Sequence, residues 1–124
     1  MKSLLAVLSI LLLAGCTTLK DARDARGTGV KKTFDKSYEL VWQKSVEVIQ
    51  ESHLDLVSKD KEDGTILAQK GMSAFSHGEN VAIFLNREGD STIVEVVSKR
   101  AIATNITAKN WTSYIFQKLN EKLK

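Results

Sequence analysis

The chain has 124 residues, with 18 Lys and Arg against 15 Asp and Glu, a net charge of +3, one cysteine and no proline. So even a charge balance argues against a nucleic-acid-binding surface, and one cysteine excludes an intrachain disulfide. Without proline, chain reversals rest on Gly, Asn and Asp.

The first sixteen residues read as an export signal. Lys2 is a positive n-region, residues 4–13 are an apolar h-region broken only by Ser9, and Ala14-Gly15 are the small residues that precede a cleavage site. The apolar run is well short of the roughly 20 residues that span a bilayer, which excludes a transmembrane helix. A plain secretory signal leaves Cys16 unexplained. Leu13-Ala14-Gly15-Cys16 resembles the lipobox of bacterial lipoproteins. The resemblance implies cleavage before Cys16, a diacylglyceryl group on its thiol and a further acyl chain on its amine, enough for stable anchoring. Thr17 stands where an Asp would favour inner-membrane retention, so the expected place in a Gram-negative envelope is the periplasmic face of the outer membrane. Acylation also leaves no thiol for a disulfide, a metal site or a nucleophile. Removing a segment that carries Lys2 and no acid leaves 17 basic against 15 acidic residues, a net charge of +2. The mature chain of about 110 residues suits one domain.

Residues 16–29 read as the lipidated cysteine and a flexible tether. They hold a tandem Asp-Ala-Arg repeat at residues 21–26, then Gly27 and Gly29, and large apolar residues are almost absent. Residues 17–28, fully extended, reach at most about 40 Å.

Residues 30–124 are expected to form the domain. Residues 30–34 suit a short strand. Ser37 is placed to cap a helix in which Tyr38, Val41, Trp42, Ser45, Val46, Val48, Ile49, Ser52 and His53 share one side. Gln43, Lys44, Glu47, Gln50 and Glu51 share the other, with Leu40 as the misfit. After His53 the period becomes two, and a hairpin closed by Asp63-Gly64 joins residues 54–59 to residues 65–70. Residues 71–79 read as a loop with unusual apolar content (Met72, Ala74, Phe75). Residues 80–86 and 91–99 read as strands around a turn at Arg87-Glu88-Gly89-Asp90, and residues 101–108 are ambiguous. A second helix starts between Thr107 and Trp111, with Trp111, Ile115, Phe116, Leu119 and Leu123 on its apolar stripe and Lys118 and Lys122 at the margin. The expected fold is α+β, an antiparallel sheet of four to five strands with two helices on one face, in the order β-α-β-β-β-β-α.

The domain resembles a group of small single-domain bacterial lipoproteins of unknown function. The likeness is carried by Phe34-x-x-Ser37-x-x-x-Val41-Trp42, by Gly64-Thr65-Ile66-x-Ala68, by Val81-Ala82-Ile83-x-Leu85 and by the final amphipathic helix. The architecture is also similar to the helix-grip-like domains of the BamC lipoprotein, an accessory of outer-membrane barrel assembly. These are core and turn positions, so the resemblance implies a fold and transfers no catalytic residue.

Candidate chemistry is sparse. His53 lies at the end of the helix stripe and His77 in the loop, flanked by Ser76 and Glu79. A metal site needs at least three convergent ligands, and neither His has an evident set, so no metal or cofactor is expected. Asp60-x-Glu62-Asp63-Gly64 resembles part of a calcium loop, yet a strand begins where an EF-hand needs its bidentate Glu. A solvated turn is the reading. Ser73 and Ser76 near His77 come without a nucleophile elbow or an orienting acid. Trp42 and Trp111 lie on apolar stripes and read as core anchors.

The second sheet face is more suggestive. Val57, Ala82, Phe84, Ile93 and Val97 fall opposite the core set. Either this apolar set is exposed and marks a partner site, or the preceding segment, a loop or a second copy covers it. The expected contact surface is therefore Phe84 and Ile93, with Met72 and Phe75 from the loop. The expected function is a non-catalytic interaction or scaffold module, held at the membrane through Cys16 and acting on an envelope protein. A binding module for a small apolar ligand or cell-wall glycan, between the sheet and the first helix, is the alternative. A cell-wall or lipid hydrolase is a third reading and would need a cleft with convergent polar residues.

Overall fold

The computed structural model describes residues 19–71, 78–100 and 110–124. Cys16, Met72, Phe75 and His77, and the ambiguous residues 101–108, lie outside the described residues. The elements are α1 (Leu19–Asp24), β1 (Val30–Phe34), α2 (Tyr38–Glu51), β2 (Asp55–Asp60), β3 (Thr65–Lys70), β4 (Glu79–Glu88), β5 (Ser91–Arg100) and α3 (Trp111–Lys122). The fold is α+β. Its five strands form one antiparallel sheet in the order β1-β5-β4-β3-β2, so β1 and β2 are the edges.

Local chemistry sets the boundaries of α2. Ser37 is extended, and its Oγ accepts from the Leu40 N–H at 3.3 Å. At the other end the Ser52 N–H donates to the carbonyls of Val48 and Ile49, and its hydroxyl donates to Ile49 at 2.6 Å. These bonds use up the carbonyls that would continue the helix, and the chain leaves as an extended strand. His53 is exposed just past this cap rather than continuing the apolar stripe. Asn110 caps α3 by accepting from the Ser113 N–H at 3.2 Å.

The β2–β3 turn is tied into the fold from two sides. The Gly64 carbonyl accepts from the Leu85 N–H at 2.8 Å, and the Tyr38 hydroxyl donates to the Lys61 carbonyl at 2.6 Å. In β2 the pairing skips a residue, with Leu56 opposite Ala68 and Ser58 opposite Leu67. Val57 is thus a bulge, which leaves it 49% exposed on an edge strand. Bulges and charges such as Lys59 and Asp60 disfavour pairing with another chain.

The main core lies between the sheet and the helices α2 and α3. Val81, Ile83, Leu85, Val94 and Val96 supply the sheet side; Val41, Val46, Ile49, Ile115 and Leu119 supply the helices. Trp42 and Trp111 both belong to it. Tyr38 stacks on Trp42 with ring centroids 6.4 Å apart, and Tyr114 meets Trp111 edge-on at 5.5 Å. Lys122 joins the two helices by ion pairs to Glu51 at 2.9 Å and Glu47 at 3.5 Å.

The other face of the sheet carries a second core, made by Leu67, Ala82, Phe84 and Val97. It is covered by α1. Ala22 is fully buried there, and Leu19 and Ala25 pack beside it. For residues 19–29 this corrects the expectation of a flexible tether. A six-residue helix has no stability of its own. It forms because the second sheet face gives its one small apolar side something to rest on. The result is three layers, one helix on one face and two on the other.

Candidate functional site

The connection from α1 to β1 is a highly specified polar feature of the described residues. Glu95 sits mid-strand on β5, level with Lys31 of β1 and Phe84 of β4, and is only 1% exposed. A buried carboxylate needs donors. Its Oε2 accepts from the Gly27 N–H at 2.7 Å and from the Gly29 N–H at 2.8 Å. Both glycines are required by geometry. Gly27 has φ +95°, a region costly for other residues, and a Cβ on Gly29 would lie 2.4 Å from the Val96 carbonyl oxygen. The backbone thus passes against β5 at a distance that only glycine permits.

Arg26 completes the attachment. Its guanidinium donates to the Asp63 carboxylate and carbonyl at 3.3 Å each and to the Asn86 side-chain oxygen at 3.2 Å. It also lies over the Phe84 ring, 4.9 Å from the centroid. The Thr65 hydroxyl, which donates to the Asp63 carboxylate, holds the Asp63 pKa below its usual range, and Arg26 adds to the effect. One side chain therefore links the N-terminal segment to the β2–β3 turn, to β4 and to the second core.

Two open grooves flank the sheet edges. The first, about 660 Å³, runs between α2 and β2, with Leu40, Trp42 and Val46 as apolar wall and Gln43, Glu47 and Lys59 on its rim. Leu40 is 36% exposed beside it. The second, about 750 Å³, lies between β1 and α3, with Val30 and Phe116 among Thr112, Ser113, Gln117 and Asn120. The expected ligand space between the sheet and α2 is itself filled by core side chains. What remains there is the outer groove.

Of the expected contact residues, Met72 and Phe75 lie outside the described residues, and Phe84 and Ile93 can be placed. Phe84 is 1% exposed, buried beneath α1 and Arg26, so it offers no partner surface. Ile93 is half-buried on the same face, outside the second core. Among the described residues, no three His, Cys, Asp or Glu side chains come together to hold a metal ion. Sequence reasoning missed Ala22, Arg26, Gly27, Gly29 and Glu95. The available signal was Glu95 itself, an acid between Ile93 and Val97 on an otherwise apolar face, together with the Gly-x-Gly at residues 27–29 upstream. No protein-family model and no curated protein matches this chain.

Proposed function

We propose that this protein is a lipid-anchored component of a bacterial cell envelope whose α+β domain is a non-catalytic interaction or scaffold module. The observation that carries the reading is the sequence Leu13-Ala14-Gly15-Cys16 at the end of a short apolar run. The thiol of Cys16 takes the lipid, and the domain is held at the periplasmic face of the outer membrane in a Gram-negative cell. No helix among the described residues is long and apolar enough to cross a membrane. Support for an interaction module comes from what lines the grooves: long exposed side chains around apolar patches. The envelope partner meets the domain at the α2–β2 groove, where Leu40 offers an apolar contact inside a charged rim.

The test is the mass of the mature N-terminal peptide from the native host. A diacylglyceryl group on Cys16, lost together with membrane fractionation in Cys16→Ser, is the expected result. An unmodified Cys16 in an uncleaved chain overturns it. A second reading, recognition of a cell-wall glycan, is favoured by the hydroxyl and amide side chains Thr112, Ser113, Gln117 and Asn120 around Phe116. Titration of the domain with muropeptides, with chemical-shift changes confined to α3, would support that reading.

A further inference from the structure

We infer that the docked N-terminal helix fixes which face of the domain meets the membrane. The second sheet face, with α1 on it, lies against the lipid headgroups, and α2 and α3 point away. This rests on the lipid-anchor reading above.

The argument is one of reach. Cys16 precedes Leu19 by three residues, so its Cα lies at most about 11 Å from that of Leu19. Leu19 is part of the fold and packs beside the second core. A domain of roughly 100 residues has a radius of gyration near 13 Å. Carrying the chain from one face around to the other would take roughly 50 Å on that scale. A stub of about 11 Å cannot do this. Had residues 17–28 been free, their reach of about 40 Å would have let the domain turn. The bonds from Gly27 and Gly29 to Glu95 and the contacts of Arg26 remove that freedom. The attachment is therefore an orienting device: it converts a tether into a short stub and presents the α2–β2 groove away from the lipid.

The experiment uses the full lipidated protein in vesicles of phosphatidylethanolamine and phosphatidylglycerol that carry a headgroup nitroxide. Cys16 is the chain's only cysteine and is blocked by its lipid, so a single introduced cysteine takes a fluorescent label cleanly. Arg23→Cys reports from the exposed side of α1, and Gln43→Cys from the exposed side of α2. Roughly 20 Å of protein, a sheet with helices on both sides, separates the two. The expected result is strong quenching at position 23 and retained emission at position 43. Inserting about twenty Gly and Ser residues between Thr17 and Thr18 adds up to roughly 70 Å of reach without touching the domain, enough for either face to meet the lipid, and should abolish the difference.

Equal quenching at both sites, with the protein co-floating with the vesicles, overturns the orientation and leaves the anchor intact. Stronger quenching at position 43 reverses it. A difference that survives the insertion overturns the short stub as its cause. Failure of the wild-type protein to co-float removes the lipid anchor, and the orientation with it.

Discussion

Glu95→Ala isolates the attachment of the N-terminal segment from the stability of the domain. The carboxylate is nearly inaccessible and holds two backbone N–H groups, at 2.7 and 2.8 Å. Hydrogen bonds to a charged group contribute about 1.5–3 kcal/mol each. Part of that is offset, because the variant no longer buries a carboxylate and water can reach the freed amides. The net loss should be about 2–4 kcal/mol, felt by residues 19–29 rather than by the whole sheet. Because about 1.4 kcal/mol is a factor of ten, the amides of Gly27 and Gly29 should lose roughly 30- to 700-fold of their protection against hydrogen exchange. The core amides of Val94 and Val96, which answer to the global opening, should change far less. Exchange followed by NMR at several denaturant concentrations measures both sets at once. An equal fall in protection at Gly27, Gly29 and Val94 would show that α1 does not open separately, and unchanged protection at the two glycines would falsify the role given to Glu95.

Further outcomes follow from the same geometry. Gly29→Ala places a methyl 2.4 Å from the Val96 carbonyl oxygen and 2.7 Å from the Val97 side chain, so it should cost about 1–3 kcal/mol in urea denaturation. A neutral result would mean that β1 can shift away from β5. Phe84→Ala empties the centre of the second core beneath Arg26 and should lower stability by about 3–5 kcal/mol, whereas Val57→Ala, at an exposed bulge, should stay within about 0.5 kcal/mol. Asp63 has a folded-state pKa below its unfolded value. Its contribution is present above the unfolded pKa and is lost as pH falls through the folded one. Asp63→Asn should therefore be less stable than wild type at neutral pH and converge with it in acid; a gap that persists into acid would point to lost packing instead of charge. Lys122→Ala removes the ion pairs to Glu47 and Glu51 that link α2 to α3. With these groups solvated the loss should be small and should shrink further in high salt.

Much of the fold is legible in the amino-acid order because it is written in periodic patterns. The stripe of α2, its Ser37 cap, the alternation of β4 and β5, and the stripe of α3 each depend on residues close together in sequence. The sidedness of the sheet was legible too. Val81, Ile83, Leu85, Val94 and Val96 face the helices, and the opposite set is apolar. What covers that opposite set is open, in the sequence, between a partner, the chain's own preceding segment, a loop and a second copy.

Only the tertiary structure settles this, in favour of α1, and the reason is physical. A segment with few large apolar residues gives no local sign of packing, because its burial rests on one small residue, Ala22, laid against a surface made elsewhere. Six residues do not hold a helix unaided, so α1 is a consequence of the sheet beneath it. Glu95 and the two glycines are uninformative when taken separately. They become a specific attachment once the fold sets donors and acceptor, 66 and 68 residues apart, within 2.8 Å. The amino-acid order determined the strands, α2 with its Ser37 cap and α3; the folded sheet decided that the apparent tether is part of the domain.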